Sequence, residues 1–507
     1  MKKLKKNILA GIIKQIFEIL YGFVLPALIL RKYGSETNGL ISSIKQFLGI
    51  ITYMELGVDT VVQSSLYAPL ANHDNVKVSQ IMTSAQKFYS RLGKVLAIYV
   101  LALTIVYPLT IDSQFDYWYI AVLILTFSIN RFGQYFIGIT NFVLLRADQK
   151  SYIYDFLSVG VYIISTVVGA ALIWLNASIQ IVEIVTTLIF LLRPVCLALY
   201  VKRKYSINRH AAYESEPITQ KWNGIAQHLC AIIIDGTDVI VLTLFSSLYN
   251  VSIYSVYNMV VTGVQSLALS ATHGISAYLG KLIAGKDKEL IQKTFGRFEW
   301  ITHTLSTLIF GCTAVLLVPF VLVYTDGVTD VDYSVPLFAV LIALARMIRC
   351  IRLPYNCAIL AAGHFKQTQS NYIIASAINI LFSVVAVFKY GLVGVAVGTL
   401  AAFLYQDVWM AWYISKNIIE WPFKKFLWQC AVDLMVFLPA FFLSKKVLLF
   451  IEVTDYLSWS LNACFVAMVW LCVSIIMNWV FRRDEMLTAI PLFKKFNSKN
   501  DRLKLKN

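Results

Sequence analysis

Residues 131–147 read RFGQYFIGITNFVLLRA, and residues 346–362 read RMIRCIRLPYNCAILAA. Both follow one pattern: Arg131, Asn141, Leu145 and Ala147 in the first copy, Arg346, Asn356, Leu360 and Ala362 in the second. Each copy lies in an apolar stretch long enough for a membrane helix, with its arginine well inside. Each ends in a short polar connector holding a lysine, Lys150 or Lys366, and a tyrosine opens the next apolar run, Tyr152 or Tyr372. A repeated membrane helix with an intramembrane cation points to a transporter of two similar bundles rocking about a central site.

The composition agrees. The chain has 507 residues, 58% hydrophobic and 14% charged, whereas soluble domains carry roughly 25% charged residues. Apolar runs of ~20 residues, enough to cross a ~30 Å hydrocarbon layer as helices, recur from end to end. No alternating strand pattern competes with them, which argues against a membrane β-barrel. The expected fold is an all-α polytopic membrane protein with about fourteen transmembrane helices. They fall at 8–30, 40–64, 93–111, 118–145, 152–174, 178–201, 222–247, 252–279, 298–324, 333–361, 369–388, 391–415, 425–448 and 458–481. Residues 1–201 form a first six-helix lobe, 202–221 a connector, and 222–415 a second six-helix lobe. Helices thirteen and fourteen occupy 416–481, and a basic tail runs over 482–507. The motif copies then sit on spans four and ten, as duplication of a six-helix unit requires.

The net charge of +16 suggests nucleic acid until the basic residues are placed. Outer connectors hold Arg31, Lys32, Lys389, Lys445 and Lys446, and the spans hold Lys14, Lys45, Arg131, Arg193, Arg346, Arg349 and Arg352. All the other lysines and arginines fall in connectors and termini on one side. That asymmetry puts both termini in the cytoplasm and assigns the charge to topology, with no nucleic-acid partner. The basic tail is expected to rest on anionic membrane lipids. The eight cysteines all lie in apolar spans, so neither a disulfide framework nor a metal site is expected. No cofactor is expected.

Several stretches resemble lipid-linked oligosaccharide flippases of the Wzx type, in the multidrug/oligosaccharidyl-lipid/polysaccharide (MOP) exporter superfamily. They are Tyr33-Gly34-Ser35-Glu36-Thr37-Asn38-Gly39-Leu40, Glu55-Leu56-Gly57-Val58 and Leu66-Tyr67-Ala68-Pro69-Leu70. Further along come Leu145-Arg146-Ala147-Asp148-Gln149-Lys150, Asp238 opening Val239-Ile240-Val241-Leu242, and Ala362-Gly363-His364-Phe365-Lys366. Each motif is weak alone; their order and spacing over the whole chain carry the resemblance. It implies a fold like that of the multidrug antiporters (MATE-like) and residence in the bacterial cytoplasmic membrane. It also implies transfer of undecaprenyl-diphosphate-linked repeat units between leaflets without bond making or breaking. A polysaccharide polymerase and glycosyltransferases are the implied partners.

Such a substrate needs cations for its diphosphate and aromatic or amide groups for its sugars. A charge at a helix centre costs ~2.5–3.5 kcal/mol on the insertion scale, so the seven intramembrane cations are expected to face protein or a cavity. Arg131, Arg346, Arg349 and Lys45 are the candidates for the diphosphate, since guanidinium binds phosphate oxygens in pairs. Tyr254, Tyr257 and Asn258 are the candidates for sugar. The alternative for each cation is a structural ion pair, as between Lys14 and Glu18. Asp235 and Asp238, on one face of span seven, are candidates for a coupling ion, proton or sodium, or else counter-ions to arginines.

Three rival readings remain, one of them a scramblase or channel-like lipid conduit. A multidrug antiporter calls for twelve spans and a carboxylate-rich cavity. A membrane ligase or acyltransferase calls for a large outer loop with catalytic groups. The charge asymmetry makes a direct prediction: a cysteine at residue 210 is labelled by impermeant reagents only after the membrane is breached, and one at residue 328 is labelled in intact cells.

Overall fold

The computed structural model describes residues 2–51, 55, 58–209, 211–213, 225–270, 282–283, 287–448 and 452–487. Among them the chain is helical almost throughout, with no strand. A helix pairs its own backbone polar groups, each of which costs several kcal/mol unpaired in hydrocarbon. The first half runs α1 (Lys2–Gly49), α2 (Val58–Ala71), α3 (Asn75–Thr110), α4 (Tyr117–Gly133), α5 (Ile139–Ala147), α6 (Ser151–Trp174) and α7 (Ile179–Lys204). It continues with α8 (Ile225–Phe245), α9 (Leu248–Ser270), α10 (Lys288–Tyr324), α11 (Pro336–Ile351) and α12 (Leu353–Ala361). The last three are α13 (Phe365–Asn417), α14 (Phe423–Val447) and α15 (Tyr456–Phe481).

Among the described residues nine helical stretches are long and apolar enough to cross a bilayer. The two longest, Lys6–Gly49 and Lys366–Asn417, are each two helices joined at a glycine of positive φ, Gly34 at 83° and Gly391 at 51°. Helices α8, α9 and α11 with α12 lie where spans seven, eight and ten were expected. Two boundaries differ from expectation. The second span is interrupted, because α1 ends at Gly49 and α2 starts only at Val58. The third helix starts at Asn75, well before residue 93, and its 36 residues make ~54 Å at 1.5 Å per residue, more than a bilayer needs. Lys87, Arg91 and Lys94 end the hydropathy signal there, but a helix outside hydrocarbon tolerates them. Its start is set by Asp74, whose carboxylate accepts from the Lys77 amide at 3.0 Å, a common N-cap. Asp455 caps α15 likewise, and its hydrogen bonds to Ser458 hold its carboxyl below the usual value.

The chain packs as two compact units. The first is Met1–Ser255 with Gly327–Val331, and the second is Val256–Asp326 with Asp332–Asn507. The short segment joins the first unit through Asp330. Its carboxylate accepts from the Ser35 amide and the Ser35 hydroxyl, each at 2.7 Å. Ser35 follows the non-helical Gly34, where α1 turns and the restarted helix needs acceptors for its first amides. The rest of the 33–40 signature is pinned in the same way. Tyr33 donates to the Ala177 carbonyl at 2.6 Å, and Asn38 to Ser252 at 2.8 Å. Glu36 accepts from the Gln114 amide at 3.2 Å and from Tyr249 at 3.3 Å. Gly39 lets α1 touch the chain at Leu248; a β-carbon there would stand 1.9 Å from the Leu248 carbonyl oxygen.

That contact is backbone against backbone, so no rotamer relieves it. Gly39→Ala is expected to cost about 1–3 kcal/mol of stability, read as a lowered unfolding temperature of the detergent-purified protein. Gly22→Ala, where a β-carbon meets nothing within 4 Å, should leave it unchanged or raise it.

Candidate functional site

In the first unit α1, α4 and α7 enclose a cavity of about 350 Å³. Lys45 enters from α1, Asn130 and Arg131 from the end of α4, and Glu183 from α7. Phe127, Tyr21 and Phe190 supply aromatic walls. The Lys45 ammonium stands 3.7 Å from Glu183 Oε1 and 4.7 Å from the Phe127 ring centre. Its side chain is 50% exposed while that of Glu183 is 4% exposed, so the acid is buried and the cation reaches open space. Asn130 Oδ1 is buried and has no hydrogen-bond partner. The cavity thus holds two cations, one acid and an unsatisfied amide oxygen, a lining suited to an anionic, hydroxyl-bearing ligand.

Arg131 owes its place to local chain geometry. Three residues later the helix passes through a π turn, Gln134–Gly138, before α5 resumes. Gly133 and Gly138 allow Leu191 and Pro194 of α7 to press against it; a β-carbon at Gly133 would meet Leu191 at 2.3 Å. Such π turns recur at functional sites. About one turn beyond Arg131, Tyr135 donates to Glu55 at 2.6 Å, and the Arg131 charge acts on that carboxylate.

The second copy is also broken, between α11 and α12 at Arg352, with Pro354 at the new start. Arg346 is 7% exposed. Its two terminal nitrogens donate to Asn258 Oδ1 at 2.7 Å and Gln265 Oε1 at 3.3 Å, both on α9. Arg349 and Arg352 instead point to α13, their guanidinium carbons 5.7 and 5.5 Å from the Phe403 ring centre. The repeated asparagines serve as anchors. Asn141 donates to the Ile137 carbonyl at 2.6 Å, and Asn356 accepts from Tyr372 at 2.8 Å.

Of the residues expected to meet substrate, Lys45 and Arg131 share the first-unit cavity, and Arg346 and Asn258 bind one another in the second unit. Tyr254 and Tyr257 are buried at 2% and 0% exposure. Tyr254 donates to Asp238 at 2.8 Å and Tyr257 to the Tyr333 carbonyl at 2.6 Å, so both hydroxyls are engaged in packing contacts. Asp238 is buried against Tyr254, and the side chain of Asp235 lies outside the described residues. Lys14 pairs with Glu18 at 3.4 Å, the structural alternative. Asn130 and Glu183 were not among the expected ligand residues, although the adjacency of Asn130 to Arg131 is visible in the sequence.

No family model matches the sequence, and no curated protein matches it. Solved structures do. The lipid II flippase MurJ in an inward closed conformation is similar with a TM-score of 0.69 and 15% identity, over 94% of this chain and 100% of that one. A multidrug resistance MATE family transporter of the MOP superfamily, inward-facing, gives 0.57 and 13%, over 78% and 94%. A eukaryotic MATE transporter gives 0.55 and 13%, over 85% and 98%. The chain therefore has the MurJ- and MATE-like fold of a multi-pass helical membrane protein.

The charge balance of the cavity is open to a direct test. With native cysteines replaced, Asn130→Cys, which leaves Lys45, Arg131 and Glu183 in place, should react faster with an anionic than with a cationic thiol reagent of equal size. Local potential of this kind changes rates by about 10-fold or more. Adding Arg131→Gln should remove the preference.

Proposed function

We propose that this protein is a flippase that carries undecaprenyl-diphosphate-linked oligosaccharide repeat units from the inner to the outer leaflet of the cytoplasmic membrane. The observation that carries the reading is the first-unit cavity with Lys45, Arg131 and the unsatisfied Asn130 oxygen. The cations receive the diphosphate, the amide and aromatic walls receive sugar, and the isoprenoid tail stays in lipid. Within the second unit, Arg346, steadied by Asn258 and Gln265, and Arg349 after it on α11 are the proposed cations for an anionic group. MurJ, named as a lipid II flippase, supports a lipid-linked substrate, and the shared fold supports alternating access of two lobes. Asp238, and Asp235 beside it in sequence, are the proposed site for a coupling proton or sodium ion. Both termini face the cytoplasm, and glycosyltransferases and a polymerase act before and after the transfer.

The MATE neighbours raise the antiporter reading, but a cavity holding Lys45 and Arg131 repels organic cations. A ligase or acyltransferase would need catalytic groups outside the membrane, and among the described residues the connectors are short. The reading is tested on the purified protein and in cells. Pyrophosphate at ~100 times its dissociation constant should stabilise the wild type by about 2.7 kcal/mol, seen as a raised unfolding temperature. Arg131→Ala and Lys45→Gln should lose that shift and accumulate lipid-linked glycan in the inner leaflet at normal protein level. Arg131→Lys should recover part of the export, because it keeps charge without the paired fork. Full export by a stable Arg131→Ala, Arg346→Ala double variant would overturn the assignment.

A further inference from the structure

The second unit contains a buried chain of side chains that the reading above leaves unused. His303 on α10 is 0% exposed. Its Nδ1 lies 2.6 Å from Asp433 Oδ2 on α14, and its Nε2 lies 3.1 Å from the Tyr355 hydroxyl on α12. That hydroxyl is 2.7 Å from Oε1 of Glu299, one turn before His303 on α10. Both ends of the chain are closed by donors. Gln429 donates to Asp433 Oδ1 at 3.1 Å, and Trp421 donates to Glu299 Oε2 at 2.9 Å.

Three hydrogen bonds link these four groups in a line, and each needs one hydrogen. A neutral imidazole brings one and the phenol brings one. Asp433 and Glu299, as carboxylates, bring none. The third hydrogen has to come from solution. It sits on Nδ1, giving an imidazolium against a carboxylate, or on Asp433, which then donates to a neutral ring. Reversing the line, with Glu299 donating to Tyr355 and Tyr355 to Nε2, also takes three. Every arrangement that satisfies the geometry holds one proton more than the ionised acids and neutral histidine supply.

The surroundings favour keeping it. Asp407 on α13 is 5% exposed, its Oδ1 has no hydrogen-bond partner, and the charges acting on it are those of His303, Arg352, Glu299 and Asp433. Cys430 on α14 lies near the same acids. Arg482 acts on Glu299 but is shared with Glu485 at 3.1 Å. Arg352 thus acts on Asp407 and a shared Arg482 on Glu299, and an added proton reduces the negative charge left uncompensated among the three buried carboxylates, which is costly in such a place.

We propose that Asp433, His303, Tyr355 and Glu299 form a proton-binding site that fastens α14 and α12 to α10. Removing the proton leaves two hydrogens for three contacts, so one link of the line faces lone pair to lone pair and the hold of α10 on α14 and α12 loosens. The second unit thereby carries a proton-dependent helix contact, separate from Asp238 and from the anion cavity. The site stands whether or not the flippase reading holds, because its test needs no substrate.

The experiment is the unfolding temperature of the full-length purified protein from mildly acidic to alkaline pH, for wild type, Asp433→Asn and Glu299→Gln. An asparagine at 433 accepts from Gln429 and offers its own N–H to Nδ1, so it supplies the third hydrogen covalently. Asp433→Asn should therefore flatten the pH dependence and unfold at higher temperature than wild type at alkaline pH. Glu299→Gln accepts from Trp421 through its oxygen and offers its N–H to Tyr355, which supplies the third hydrogen in the reversed line, so it too should flatten the profile. If Asp433→Asn is destabilised equally at every pH and its profile runs parallel to wild type, the network is only structural and the proposal fails. Should that variant not fold, pH-difference infrared spectra of the wild type decide. A protonated carboxyl or imidazolium band that disappears on raising pH supports the site, and a spectrum without either overturns it.

Discussion

A polar group inside hydrocarbon must find a partner within the protein, and this constraint governs where the charged and amide side chains of the chain lie. Hydroxyls meet it cheaply. Thr126, Ser158, Thr166 and Thr243 each donate to the carbonyl four residues back, at 2.7 or 2.8 Å, so they place no demand on neighbouring helices. Carboxylates, guanidinium groups and imidazole cannot do this. Apart from pairs one turn apart such as Lys14 and Glu18, they turn to another element, and that need selects which helix faces meet. Asp330 brings its segment to Ser35, Arg346 turns α11 toward α9, and Asp433 fixes α14 against α10.

The same constraint separates two kinds of charged cluster. Around His303 every polar atom of the four-membered line is hydrogen-bonded within the protein. Around Lys45 the arrangement is open: Glu183 is buried and the ammonium half-exposed, while Asn130 keeps an unpaired oxygen. An unsatisfied buried acceptor beside a solvent-reachable cation has a cost in the empty protein that a ligand can relieve. This makes the first cluster a proton store and the second a place for a polar molecule.

Much of the fold is legible in hydropathy, because crossing a bilayer needs a run of apolar residues whatever the fold. The fourteen runs, the fall of α13 into two helices at Gly391 and the repeat on α4–α5 and α11–α12 all derive from that signal. Helix ends outside hydrocarbon do not, and α3 extends back to Asn75 through lysines and an arginine that read as connector. The cavity was half legible. Lys45 and Arg131 stand out as intramembrane cations, but their meeting with Glu183 depends on how α1, α4 and α7 are rotated, which hydropathy does not encode. Tyr254 and Tyr257 show the limit from the other side. An amphipathic tyrosine in a span reads equally as a sugar platform or as a packing residue with a bonded hydroxyl, and here both hydroxyls are bonded within the protein. The His303 line was least legible, since its members come from three helices and only Glu299 and His303, one turn apart, share one.

The two motif copies explain why a repeat transmits position more faithfully than task. A π turn inserts one extra residue, which rotates the downstream helix by about 100° relative to an unbroken one. In the first copy that insertion falls at Gln134–Gly138, directly after Arg131 and before Asn141. In the second copy the helix runs regularly from Arg346 to Ile351 and breaks at Arg352, so Arg346 and Asn356 are related by a different rotation. Arg131 consequently lines a cavity beside α1 and α7, whereas Arg346 is held by amides of α9. Equal spacing in sequence is turned into unequal faces by where each helix breaks, and the break is written in Gly133 and Gly138 in one copy and in Pro354 in the other.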